Sequence, residues 1–180
     1  MTEIKKFISE KDLIKEIFPV VIGEIKYVGV SKLAQKNITP DIDILIMTYQ
    51  SEIVGYEIKI LGSDKGGNVS KTEFYKGIGE ALMYLRYGIE KVGLICGFKN
   101  SLNNEKIENF IQELKNEKDL LKRILGKYFS LGIYTSYIEW IFYAQSNFYS
   151  GEKNFLMKIM KEKRLSYNKK FLKEINLCIK

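Results

Sequence analysis

The segment Val92-Gly93-Leu94-Ile95-Cys96-Gly97-Phe98 is apolar at odd and even positions alike. Side chains alternate across a strand, so such a strand is covered on both faces, as inner parallel strands are, and parallel neighbours are joined by helical crossovers. An α/β chain is therefore predicted. Upstream, the pattern predicts a helix over 9–18, opened by Ser9 with Asp12 and ended by Pro19, and a strand near 23–30. Two strands follow at 41–48 and 52–60, joined by a turn at 49–51. A Gly- and Lys-rich loop, 62–69, leads into the capping box Ser70-Lys71-Thr72-Glu73 and a helix reaching Tyr87, with Gly88 as its stop. Beyond the apolar strand the pattern predicts a helix near 104–125, a strand near 128–134, an aromatic helix opened by Ser136 and Glu139, and two basic amphipathic helices. The expected order is α-β-β-β-α-β-α-β and then helices: a core at 1–135 and a helical extension at 136–180 in the same globular unit.

Composition narrows the chemistry. A chain of 180 residues, 46% hydrophobic and 28% charged, has room for one core. It contains no histidine and only Cys96 and Cys178, which excludes Ser-His and Cys-His catalysis, histidine-ligated metals, zinc clusters and a disulfide framework. Acid, base or metal chemistry must use carboxylates, lysines or tyrosines. The start Met-Thr-Glu-Ile-Lys-Lys does not resemble a signal peptide, and no stretch approaches the ~18 apolar residues of a membrane span. A cytoplasmic protein without membrane contact is expected. The 29 basic against 22 acidic residues favour an anionic partner, and residues 152–180 alone carry nine basic residues against three acids.

The hairpin at 41–60 carries the candidate chemistry. Ile42, Ile44 and Ile46 share a face with Val54, Tyr56, Ile58 and Ile60. The opposite face holds Asp41, Asp43, Leu45 and Met47 with Ile53, Gly55, Glu57 and Lys59. With a three-residue turn, paired positions sum to 100, so Asp43 faces Glu57 and Asp41 faces Lys59. Carboxylates this close repel unless a hard cation lies between them, so the patch suits a divalent ion with oxygen ligands, Mg2+ best, with Mn2+ as substitute. Lys59 could orient a metal-activated water or neutralise charge developing on a phosphate. The alternative is an exposed hairpin face whose charges keep a sheet edge soluble.

Pro40-Asp41, Asp43 and Glu57-Ile58-Lys59 resemble the motif of the PD-(D/E)XK nucleases, the restriction-endonuclease-like superfamily, and the predicted α-β-β-β-α-β order is similar to that family's core. The resemblance covers roughly residues 4–100. It implies a Mg2+-dependent DNA nuclease with a mixed central sheet flanked by helices and no organic cofactor. It further implies that an Asp and Glu57 hold the metal while Lys59 serves the attacking water. Asp41 and Asp43 compete for the Asp role. The spacing to Glu57 and the apolar run after Asp43 look more like the Holliday-junction resolvases, which favours Asp43. Glu10, followed by Leu13, Ile14 and Ile17 at helical spacing, resembles the extra acid that archaeal resolvases supply from their first helix; it also suits the first turn as a dipole partner. Lys76, Glu80 and Tyr84 resemble the Gln-x-x-x-Tyr helix of RecB-like nucleases, with Glu80 where Gln is usual, and small residues at 77, 79 and 81 would let that helix lie close to the sheet.

These readings imply an endonuclease on branched or duplex DNA. The alternatives are a RecB-like exonuclease and a non-catalytic DNA-binding module. Phosphate contacts are expected from Lys65 and Lys71 near the site and from Lys161, Lys163, Arg164, Lys169 and Lys170 in the tail. The aromatic helix is expected to form a homodimer interface, and the resemblance to junction-cutting nucleases, which work as dimers, implies the same.

Overall fold

The computed structural model describes residues 4–21, 25–31, 42–48, 53–87, 89 and 91–145. The doubly apolar segment forms β4 (Lys91–Phe98), buried from Val92 onward. It pairs in parallel with β3 (Ile53–Leu61) on one side and β5 (Phe129–Tyr134) on the other. The remaining strands are β1 (Ile25–Ser31), β2 (Ile42–Thr48) and β6 (Ile138–Phe142). Among the described residues the six strands form one mixed sheet in sequence order, β1-β2-β3-β4-β5-β6, with β1, β2 and β3 antiparallel and β6 antiparallel to β5.

The helices cover both faces, so the chain is α/β. Helix α1 (Glu10–Val21) opens as predicted: Ser9 Oγ accepts the Asp12 N–H at 3.3 Å, and Asp12 Oδ2 accepts both the Ser9 N–H and its hydroxyl. Its stripe of Leu13, Ile14 and Ile17 packs on Ile44, Ile58, Ile60 and Ile95. The expected stop at Pro19 is corrected: the helix runs on through Pro19 to Val21. Close approach is allowed by Gly97, where a Cβ would stand 2.7 Å from Leu13 Cδ2.

On the opposite face, α2 (Lys71–Met83) crosses from β3 to β4. Ser70 caps it by accepting the Glu73 N–H, and Phe74, Ile78 and Ala81 enter a core with Leu94, Cys96 and Phe98. The last turn tightens into a 3-10 segment, Tyr84–Tyr87; Gly88 lies outside the described residues. The single helix expected over 104–125 is two, α3 (Asn104–Asn116) and α4 (Lys118–Leu125), because Glu117 leaves the helical region at φ −91° and ψ 2°.

The aromatic helix expected after Ser136 is corrected: Ile138–Phe142 is the strand β6. A register shift between Leu131 and Gly132 sets two partner positions, Phe142 and Trp140, astride Ile141, and both Ile141 and Phe142 join the α2-side core while Ile138 and Trp140 pack on the α1 side. Apolar residues on both faces of a bulged strand look helical by periodicity. The tail at 152–180, with its basic helices, lies outside the described residues.

Candidate active site

The β2–β3 ladder has the predicted register, with Ile44 opposite Tyr56, Leu45 opposite Gly55, Ile46 opposite Val54 and Met47 opposite Ile53. One residue beyond, the half-buried Asp43 uses Oδ2 to accept the Ile58 N–H at 2.8 Å. This bond fixes the carboxylate at the β3 edge and satisfies a strand donor. Asp41, the competing aspartate, lies outside the described residues.

Glu57 and Lys59 point to the α2 face, two residues apart on β3 as the alternation requires. Glu57 is only 4% exposed. Its Oε1 accepts from the Lys59 ammonium and its Oε2 from the Tyr84 hydroxyl. Lys59 Nζ also lies 2.8 Å from Glu80 Oε2 and 3.6 Å from Glu10 Oε1. Gly77 makes this convergence possible, since a Cβ there would stand 2.8 Å from both Lys59 Cγ and Leu94 Cδ1. Gly79 contributes nothing of the kind, because its Cβ direction is open for 4 Å.

Three carboxylates thus pair with one ammonium, Glu57 from β3, Glu10 from α1 and Glu80 from α2, and Asp43 from β2 is near enough for its charge to act on Glu57 and to feel that of Lys59. Burial, followed by the charge of Asp43, pushes the Glu57 carboxyl up to about 8, against the opposing pull of Lys59 and Tyr84. Burial likewise pushes Asp43 up to about 6, against the Ile58 N–H and Lys59. Burial would lower Lys59, but its bonds to Glu57 and Glu80 outweigh that and hold it protonated. Burial would raise Glu80, yet Lys59 and Glu57 keep it below the usual carboxylate range. Tyr84 is raised by burial and then by Glu57, so its phenol stays a donor.

The donor chemistry fits a hard cation: every candidate ligand atom is a carboxylate oxygen, and the acids outnumber the ammonium. Among the described residues, no group of three or more acidic or cysteine side chains is already gathered as a metal-holding cluster. Lys59 occupies the centre of the acids.

The structure separates the other predicted residues. Lys76 stands beside the cluster, 3.6 Å from Glu80 Oε1. Lys71 is drawn away to Glu113 on α3, at 2.8 Å, and Lys65 is exposed on the 62–69 loop. Lys161, Lys163, Arg164, Lys169 and Lys170 lie outside the described residues. Sequence reasoning missed Lys99 and Ile8, which line a cleft beside Lys59. The available signal was position: Lys99 directly follows the parallel strand β4, and ligands of open α/β sheets bind at the carboxyl ends of strands. No helix among the described residues is long and apolar enough to cross a membrane. A scan against protein-family models and searches of curated proteins and of solved structures find nothing that matches this chain.

Proposed function

We propose that the chain is a Mg2+-dependent DNA nuclease of the restriction-endonuclease-like class, cutting internally in branched or duplex DNA, with Mn2+ as a substitute ion. The observation that carries this reading is the convergence of Glu57, Glu10 and Glu80, from a strand and from helices on opposite faces of the sheet, on the Lys59 ammonium, with Asp43 held on the adjacent strand where its charge acts on Glu57. The element order α-β-β-β-α-β up to β4 supports it, being the order that the family resemblance implies.

Asp43 and Glu57, joined by Glu10 or Asp41, are the groups that would hold the metal. When bound, the ion supplies charge for the phosphate and acidifies a water enough to attack phosphorus. Tyr84 holds one oxygen of Glu57 by donating to it, which leaves the carboxylate a fixed direction. Lys59 keeps the buried acids together and carries the positive charge best placed to meet an incoming phosphate or to orient the attacking water. Glu80 fixes Lys59 from the α2 side through Oε2.

The test is incubation of the purified full chain with junction, duplex, flap and single-stranded DNA in Mg2+, Mn2+ or EDTA. Internal cuts in junction or duplex DNA, in either metal and not in EDTA, are expected; no cleavage of any substrate refutes the reading. The resemblance also implies a homodimer, which sedimentation of the full chain checks.

A further inference from the structure

Strands β3 and β4 run parallel, so their C-terminal ends open at the same edge of the sheet. There a cleft of about 290 Å3 lies beside the candidate active site, walled by Ile8, Glu10, Lys59, Glu73, Lys76 and Lys99. Lys99 is fixed at its mouth by backbone: its N–H donates to Leu61 O at 3.0 Å, and it bridges Phe7. Its ammonium lies over Gly62, where a Cβ would come within 3.2 Å of Nζ, and stands 3.6 Å from Glu73 Oε1. Glu73 is anchored in turn by accepting the Gly62 N–H at 2.6 Å. Lys76 Nζ stands 3.6 Å from Glu80 Oε1.

Both separations are ion pairs longer than a hydrogen bond, so each lysine is aimed by an acid without spending its N–H donors on it. Next to them Ile8 is 83% exposed, although its neighbour Phe7 is buried. A large apolar side chain held in water at the mouth of a lysine-walled cleft is suited to a ligand that is anionic in one part and apolar in another.

We propose that this cleft seats the nucleic-acid strand next to the bond that is cut: Lys99 and Lys76 grip a backbone phosphate adjoining the reacting one, and Ile8 packs on the sugar between them. This assignment rests on the nuclease reading, and it adds Lys99 and Ile8 to the binding surface. Phosphate contacts position a strand without reading its sequence, and each contributes about −0.9 on duplex DNA and about −0.7 on single strands to the slope of log K against log salt.

The experiment is binding of labelled duplex and single-stranded oligonucleotides by the full chain in EDTA over a salt series, for wild type, Lys99→Gln, Lys76→Gln, the double variant and Ile8→Ser. Both lysines are well exposed, at 47% and 68% of their side chains, so the folds should survive, and circular dichroism verifies this. Because the two lysines share one phosphate, the double variant should flatten the slope by about 0.9 on duplex and about 0.7 on single strands, and each single variant by part of that, whatever the base sequence. Ile8→Ser should weaken binding without changing the slope. Lys115→Gln, a change at a lysine paired with Glu139 away from the cleft, should leave both unchanged. Slopes equal to wild type in both lysine variants overturn the assignment. If wild type still cuts DNA in Mg2+, the cleft assignment alone has failed; if wild type neither cuts nor binds, the nuclease reading has failed with it.

Discussion

The buried Glu57 makes stability depend on pH in an unusual direction. Its carboxyl is raised from 4.5 to about 8, chiefly by burial and secondly by Asp43. Between those values the native state keeps a proton that the unfolded chain has released, so stability is fully present below about 4.5 and is lost as pH rises through about 8. A pKa unit corresponds to about 1.4 kcal/mol, so the rise from 4.5 to about 8 corresponds to a loss on the order of 5 kcal/mol, a large part of the 5–15 kcal/mol typical of a domain. Asp43, raised from 3.8 to about 6, adds to the loss with the same sign at lower pH. The assay is urea unfolding of wild type and Glu57→Gln in EDTA from pH 5 to pH 9. The wild-type stability minus that of the variant should fall by a few kcal/mol across that range, and Mg2+ at pH 9 should restore stability to wild type far more than to the variant. A difference that is flat, or that rises with pH, refutes the reasoning.

Other consequences follow from the packing. Gly77→Val should destabilise by about 1–3 kcal/mol, because the added atoms meet Leu94 and Lys59 at 2.8 Å, whereas Gly79→Ala, with open space beyond its Cβ, should stabilise by about 0.5–1 kcal/mol; thermal melts of the pair check both. Leu13→Ala, which empties a fully buried position between α1 and the sheet, should cost about 2–5 kcal/mol in urea unfolding. Tyr84→Phe should retain the fold but slow any metal-dependent cleavage by freeing one Glu57 oxygen, and it should weaken the dependence of rate on Mg2+ concentration.

The parts of this account that were legible in the sequence are those where local rules and tertiary packing agree. A short turn and strict alternation set the β2–β3 register, and with it Asp43 beside Glu57 and Lys59. Ser9 and Ser70 cap the helices they were expected to cap. Helix α1 turned Glu10 towards Lys59 because Leu13, Ile14 and Ile17 had to face the sheet. The illegible parts depend on contacts that periodicity does not encode. A bulged strand apolar on both faces mimics a helix at 138–142, and one residue out of the helical region, Glu117, divides α3 from α4. Nothing in the spacing of Lys71 and Lys76 said that one would be claimed by Glu113 and the other kept at the site. Nor could composition show that Lys59 would sit amid the acids, since that requires Gly77 to let α2 close over it.

The central claim is that Asp43, Glu57 and Lys59 form a metal-dependent phosphodiesterase site. Its most direct test is the single-turnover rate at which full-length wild type, Asp43→Asn, Glu57→Gln and Lys59→Met cut one labelled junction or duplex in Mg2+, each variant first shown to fold. The account predicts wild-type cleavage that stops in EDTA and is about 100-fold slower or worse in all three variants, with Asp41→Ala losing less than Asp43→Asn. A folded Glu57→Gln protein that cuts as fast as wild type contradicts it.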